Sequence, residues 1–380
     1  LRLFYLINGL GPGGAERSLA ELLPYYAQAG IETTVVCLRS REHNAEDVIA
    51  SGARLLFAKS TSFSGWVPEI RRLLRKEAPD LLHTTIFQAD VVGRIAAAGT
   101  GVPVLTSLVN TAYDQVRLQD PSVRRMSFLA TREIDGVTSR HLTTHFHAIT
   151  EAVRDSAVRS LRIRTDQITV IPRGRDPGRL GEASAQRKME ARRMLGLEAD
   201  IPVLVNVGRQ EFQKGQTHLL DAMAIVRRKV PHARLLIVGR EGHASENLQA
   251  KMREHALGGH VEFLGFRTDI PDVLAAADLF VFPSLYEGLG GSLIEAMALR
   301  LPVVASDISA LREVVDDGST GYLVPVGNAP ALASRIIELL GDPARSAAFG
   351  AQARRMFDDR FTIRRSADRM IELYRTLGRS

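Results

Sequence analysis

The chain holds a single cysteine, Cys37, among 380 residues. No intrachain disulfide can form, and the composition reads as that of a cytosolic protein. Long apolar runs are missing: none reaches the roughly 18 to 20 residues of a transmembrane helix. Leu1–Leu6 reads as a short strand, because it lacks the basic start and longer apolar core of a signal peptide. Low-complexity tracts and short repeats are absent. So is a Gly-x-Ser-x-Gly elbow, which together with a mid-strand Cys37 argues against nucleophilic hydrolase chemistry. No Asp-x-Asp pair ends a strand, so no obligate divalent cation is implied. No nucleic-acid-binding motif is present, and nucleic acid is not an expected partner.

What is there is ordinary for a globular protein: 45% hydrophobic and 24% charged residues. The length suits two domains of about 150 to 200 residues each. The net charge of +6 fits anionic partners such as nucleotides, phosphorylated lipids or an anionic membrane surface. Short apolar runs alternate with amphipathic stretches, first over Leu3–Ile171 and again from Val203 to Val324. Strands alternating with helices predict right-handed βαβ units and parallel sheets, hence an α/β fold of two doubly wound Rossmann-like domains facing each other across a cleft. The expected division is 1–172 for the first domain, 173–187 for a Pro-, Gly- and Arg-containing linker, and 188–345 for the second domain. Terminal helices over 346–380 are expected to cross back to the first domain.

Three stretches carry chemistry. The most informative runs from Pro283 to Ala298, with Glu287 and Glu295 on either side of a Gly-rich turn. A strand before it and an apolar helix from Ser292 after it put Glu287 at the carboxyl end of the strand and Glu295 one turn into the helix. Ligands of open α/β sheets bind in that crevice. Backbone N–H groups at a helix start attract negative oxygen, and the carboxylates can accept from sugar or ribose hydroxyls.

The second stretch, Val205–Gly215, places Arg209 and Lys214 on the loop after the first strand of the second domain. A guanidinium can hold two phosphate oxygens and an ammonium acts as a point charge, so the pair is expected to converge on one diphosphate. The third, Gly9–Arg17, has Gly9, Gly11 and Gly14 in the spacing of a dinucleotide fingerprint. The second strand ends Cys37-Leu38-Arg39-Ser40 with no acid for a ribose, although Arg39 could accept a 2′-phosphate. An NADP-dependent oxidoreductase using Gly9–Gly14 therefore stays open at this point, as does a non-catalytic nucleotide-sugar-binding protein. His141 and His145 have one-turn helical spacing beside His147, but no Cys or Asp completes a zinc set, and no metal site is expected.

Together these stretches resemble the retaining glycosyltransferases of GT-B architecture, specifically family 4. The resemblance covers nearly the whole chain, including Val238-Gly239, Phe263-Leu264-Gly265, Ala277-Asp278, Pro302–Ala305 and the closing Val314–Val324 run. It implies a nucleoside-diphosphate sugar as co-substrate, UDP by default, and no further cofactor. Charge would develop on the leaving diphosphate during front-face substitution. The family would assign Arg209 and Lys214 to the donor diphosphate, Glu295 to the ribose and Glu287 to donor-sugar hydroxyls. Backbone of Leu289, Gly290, Gly291 and Ser292 would hold phosphate or sugar oxygens, and backbone near Phe266 and Arg267 would meet the base. Gly11, Gly13 and Gly14 would close over the diphosphate.

Two departures bear on the acceptor. A His common in the family after the strand Val102–Ser107 is missing, which leaves Asn110, Thr111 or His83 to orient the acceptor. The usual Asn-Gly-Val-Asp of the linker reads Arg173-Gly174-Arg175-Asp176, adding two cations that suggest a different acceptor or another phosphate. A glycan, a lipid-linked saccharide or a small molecule would be that acceptor. The basic helix Trp66–Glu77, with Arg71, Arg72, Arg75 and Lys76, leaves two readings open, a face that lies on an anionic membrane and a solvated basic helix face. The expected location is cytoplasmic, with peripheral association at the inner membrane face as an open alternative.

Overall fold

The computed structural model describes residues 1–40 and 43–378. Contacts divide them into two units: 1–118 with 123–175 and 362 onward, and 119–122 with 176–361.

The first unit opens with β1 (Arg2–Ile7), α1 (Gly14–Gln28), β2 (Glu32–Cys37), α2 (Ala45–Ala50), β3 (Arg54–Phe57) and α3 (Phe63–Glu77). It continues with β4 (Leu81–Thr85), α4 (Phe87–Ala97), β5 (Val104–Leu108), α5 (Arg125–Leu142), β6 (His145–Ala148), α6 (Glu151–Leu161) and β7 (Ile168–Val170). All seven strands are parallel, in the order β3-β2-β1-β4-β5-β6-β7. Alternate residues of a strand point to opposite faces, and β1 shows it. Leu3, Tyr5 and Ile7 join a core with Leu19, Leu23 and Tyr26 of α1, while Phe4 and Leu6 join another with Trp66, Ile70 and Val92. Burial of both faces is why these strands read as near-continuous apolar runs.

The second unit starts with α7 (Pro177–Leu180), α8 (Ala185–Met194), β8 (Val203–Val207), α9 (Gln216–Lys229), β9 (Arg234–Val238) and α10 (Ser245–Glu254). Then come β10 (Val261–Gly265), α11 (Ile270–Ala275), β11 (Leu279–Phe282), α12 (Gly291–Ala298), β12 (Val303–Ser306), α13 (Ser309–Arg312) and β13 (Gly321–Val324). It ends with α14 (Ala329–Gly341) and α15 (Pro343–Arg360). Its six strands are parallel in the order β10-β9-β8-β11-β12-β13. The strand order reverses between β8 and β11 here, and between β1 and β4 in the first unit. At each reversal the two following loops diverge to opposite faces and open a crevice.

The division differs from the one expected. The chain leaves the first unit after Arg175 and rejoins it at Thr362, not at 346. Helix α15 stays with the second unit because Gly350 lies against the Arg300 carbonyl, where an added Cβ would stand 2.0 Å away. Only α16 (Ile363–Leu377) packs on α1, through fully buried Tyr374 against Tyr26. The segment expected as linker instead carries α7 and the start of α8, each with a side-chain N-cap, Asp176 and Ser184. Among the described residues, no helix is long and apolar enough to cross a membrane.

Candidate functional site

In the second unit the loop after β8 and the loop after β11 meet at the strand-order reversal. Lys214 Nζ lies 2.5 Å from Glu287 Oε1, and the Ser284 hydroxyl donates to the same oxygen at 2.9 Å. Both side chains of the pair are largely buried, 16% and 8% exposed. Lys214 also sits 5.3 Å from the Phe282 ring centroid, a cation–π distance.

Backbone chemistry forces the two loops together. Gly215 has φ +59, and a Cβ there would stand 2.0 Å from the Pro283 carbonyl, so only glycine fits. Leu285 N donates to Gln213 O, and Gln213 Nε2 to Tyr286 O, which staples one loop to the other. Beneath them Asn206 donates to Val281 O, and Gln216 donates to Asn206 Oδ1 and Gly208 O. Ser284, Asn206 and Gln216 escaped the reading of the sequence. Their only signal was position beside the loop glycines.

Arg209 does not share this pocket of charge as expected. Its side chain is half exposed and its guanidinium faces Glu211 at 3.5 Å, whereas Lys214 is taken up by Glu287. Gly290, in the left-handed region at φ +90, ends the loop, and Gly291 and Ser292 begin α12. The first N–H groups of a helix have no partner within it. The Ser292 hydroxyl hooks back to Val207 O at 3.1 Å, tying the helix start to the end of β8. Leu289 and Glu295 are buried. Phe266 is half exposed, and Arg267 is paired with Asp269 at 2.5 Å, which raises its pKa.

The first unit holds the remaining candidates. Asn44 clamps the glycine loop, donating from Nδ2 to Gly11 O at 2.6 Å and from its backbone to Leu10 O. Gly13 caps α1, and the Glu16 side chain folds back to within 2.2 Å of where a Cβ on Gly13 would be. Arg173 lies against Gly14, and burial, with Arg175 beside it, lowers its pKa to about 10. Arg175 is not a ligand-facing cation: it is buried, bonded to the Ser18 hydroxyl and 4.0 Å from Glu21. The Asn110 side chain accepts from the neighbouring Thr111 N–H, while Thr111 Oγ1 is buried without a hydrogen-bond partner.

His83 cannot orient an acceptor. It lies inside β4, buried, with Nδ1 on the Tyr374 hydroxyl and Nε2 on the Ser107 hydroxyl, both at 2.7 Å. Ser107 contacts His147 Nδ1 at 2.8 Å, and His147 Nε2 donates to the Ile171 carbonyl. A carbonyl only accepts, so the direction of the whole chain follows. His147 Nδ1 accepts from Ser107, Ser107 accepts from His83, and His83 accepts from Tyr374. Burial holds both imidazoles neutral, His147 at a pKa of about 4 and His83 well below its ordinary value.

The expected helical pairing of His141 and His145 does not exist. His141 is on α5, and His145 is on β6 with its ring on the Thr169 hydroxyl. Among the described residues no group of three or more His, Cys, Asp or Glu side chains could hold a metal ion. Cys37 ends β2, buried, with its thiol pKa pushed up to about 12. Arg39 lies over the Trp66 ring at 5.9 Å.

Two family models match: "Glycosyltransferase Family 4" over residues 12–179 and "Glycosyl transferases group 1" over 188–356. The phosphatidyl-myo-inositol mannosyltransferase of Mycobacterium leprae is 31% identical over 281 residues, 66% of this chain and 71% of that one. The UDP-Gal:alpha-D-GlcNAc-diphosphoundecaprenol alpha-1,3-galactosyltransferase of Escherichia coli is 26% identical over 307 residues, 80% of this chain and 77% of its own. Among solved structures, Anabaena HepE in complex with UDP-glucose superposes with a TM-score of 0.86 at 23% identity, covering 99% of each chain.

Proposed function

The chain belongs to the group 1 glycosyltransferases of family 4 and has the GT-B fold, and from that premise we propose that it is a retaining enzyme using a UDP-sugar. The acceptor is a hydroxyl on a lipid-linked saccharide, a glycan or a small molecule. The observation that carries the proposal is the meeting of Lys214 and Glu287 where the strand order reverses. A cation for a phosphate and a carboxylate for a hydroxyl stand side by side, the two groups that a sugar phosphate presents.

In this reading Lys214 turns from Glu287 toward the donor diphosphate, and Arg209 reaches it from the exposed side of the same loop. Glu287, steadied by Ser284, accepts from a donor-sugar hydroxyl. Glu295 takes the ribose, and the N–H groups over Leu289–Ser292 take phosphate or sugar oxygens. The bond from the anomeric carbon to the diphosphate breaks as the bond to the acceptor oxygen forms on the same face. The acceptor proton passes to the departing phosphate oxygen. Negative charge grows on the diphosphate, where preorganised cations act most strongly. Asn110, Thr111 and Arg173 remain the acceptor-side candidates.

UDP is favoured by the donor in the name of the E. coli relative and by the ligand of HepE. A lone buried cysteine suits a cytoplasmic setting. Calorimetric titration with UDP, GDP, ADP and NADP, on wild type and Lys214→Ala, tests the reading. Tight binding of one nucleoside diphosphate, weakened in the variant, is the expected result. Binding of NADP alone, indifferent to Lys214, would overturn it and return the ligand to the first glycine loop.

A further inference from the structure

Helix α5 is inside out. Its buried residues are Asp135, Gly136, Thr138 and Ser139, while Met126, Ile134 and Val137 are 79%, 50% and 44% exposed. A surface helix in water buries its apolar stripe and shows its polar face; here the two are exchanged. The exposed apolar positions, with Ala130 between them, recur at helical spacing and form one stripe about 17 Å long at 1.5 Å per residue.

Buried charge fixes this orientation. Arg94 of α4, 1% exposed, donates to Asp135 Oδ1 at 2.6 Å and to the Thr138 hydroxyl at 3.1 Å. Tyr113 donates to Asp135 Oδ2 at 2.8 Å. Rotating α5 to hide Met126 and Ile134 would strand Arg94 without its carboxylate, which is strongly destabilising. The apolar stripe is therefore held outward.

We propose that this face of α5 seats the enzyme on an anionic bilayer surface. Charge at the stripe selects that occupant. Arg124 and Arg125, at the start of the helix, are exposed and have no ion-pair partner among the described residues. The acidic residue exposed beside the stripe, Glu133, faces Arg140 at 3.8 Å. An apolar strip with basic flanks matches acyl chains below and phosphates beside them. A two-fold contact with a second copy would, by contrast, pair the patch with itself and offer Arg124 and Arg125 no exposed acid of the stripe beyond Glu133, which already faces Arg140. The basic helix α3 is the weaker membrane candidate: Trp66, Ile70 and Leu74 are buried inside, and Arg71 is bonded to the Ile95 and Ala96 carbonyls.

Flotation with phosphatidylcholine vesicles, with and without phosphatidylglycerol, tests the proposal on the full chain. The wild type is expected to float with phosphatidylglycerol vesicles only. The triple variant Met126→Ser/Ile134→Ser/Val137→Ser and the pair Arg124→Glu/Arg125→Glu should each lose at least about tenfold in partitioning. Arg72→Glu/Arg75→Glu on α3 should lose less. Sedimentation velocity of wild type and triple variant accompanies the flotation, with circular dichroism melts as the check that each variant folds. No flotation of the wild type, full flotation of the triple variant, or loss confined to the α3 variant would overturn the proposal. So would a wild-type dimer that the triple variant dissolves, which would give the face to a second copy. Vesicle binding needs no sugar donor, so failure here is separate from failure of the nucleotide titration.

Discussion

Lys214 Nζ and Glu287 Oε1, 2.5 Å apart, are held by two different loops that the Gln213 bonds to Leu285 and Tyr286 staple together. Each group stands in for the ligand the other would receive: the ammonium for a hydroxyl donor, the carboxylate for a phosphate. On the proposed reading, binding the donor exchanges one ion pair for two ligand contacts, and the free enzyme keeps neither charge bare in a largely buried place.

On the proposed reading, Lys214→Ala removes the cation from the leaving group, and it leaves Glu287 without its ion-pair partner, held by the Ser284 hydroxyl. Turnover should fall on the order of a hundred- to thousand-fold, and stability should drop by about 3 kcal/mol. Arg209→Ala, half exposed, should lose turnover in the same range with little change in melting. Single-turnover transfer and thermal melts separate the two, and near-normal turnover in either variant would refute its assignment.

Ser284→Ala leaves Glu287 in place but takes away one of its two donors. Because a hydrogen bond to a charged group contributes about 1.5 to 3 kcal/mol, kcat/KM should fall roughly tenfold or more, and Ser284→Thr should recover part of it. A variant indistinguishable from wild type would mean that the carboxylate needs no steadying.

Acid should loosen the first unit through His147. Its pKa of about 4 lies below the ordinary 6.5 because of burial. Between those values the unfolded chain binds a proton that the folded one refuses. Its contribution is thus complete above pH 6.5 and lost as pH falls toward 4, at about 1.4 kcal/mol per pH unit. Chemical denaturation from pH 7 to pH 4.5 should show a slope reduced by about one proton in His147→Gln. Equal slopes would contradict the neutral, bonded imidazole.

Asp90 works in the opposite sense. Burial raises its carboxyl to about 7 although Arg94 pulls it down, and one of its oxygens has no hydrogen-bond partner. The folded chain keeps a proton that the unfolded chain loses near 3.8, so this contribution is complete below that value and disappears as pH rises through 7. Asp90→Asn should gain on the wild type across that window, by about 1.4 kcal/mol per pH unit. A constant difference between the two proteins at pH 5 and pH 8 would rule this out.

Gly215→Ala should abolish nucleotide binding, because the new methyl meets the Pro283 carbonyl at 2.0 Å in a left-handed backbone. Gly258→Ala, with nothing within 4 Å of the added carbon, is the matching harmless change. Equal calorimetric affinity in the two variants would show that the loops do not depend on their close approach.

Much of this was written in the sequence where local rules suffice. Two-face burial made the parallel strands legible as apolar runs, and the left-handed glycines marked the loops that carry Lys214 and Glu287. Long-range pairing was not legible. Nothing in Leu81-Leu82-His83 says that the imidazole points at a tyrosine 291 residues away. Nor does Arg175 announce that its partners are Ser18 and Glu21 of α1. The break at Phe361–Thr362 was not legible because no glycine or proline marks it. The reversed α5 was hidden for another reason: its amphipathic pattern is regular, and only Arg94 decides which side faces inward.

The Ile363 N–H donates to the Arg175 carbonyl at 2.9 Å, and Gly174 is so near Thr362 that a Cβ would clash with its carbonyl at 2.4 Å. Departure and return are thus neighbours, and the stretch 176–361 is an insert spliced into the first unit at one point, with only the four residues 119–122 counted to the second unit elsewhere. Genetically the protein is a host with a passenger. A gene joining codon 175 to codon 362 through a short turn would leave every strand order in the host sheet as it is. Recombination at that one seam could exchange the inserted unit between relatives without rewriting the host.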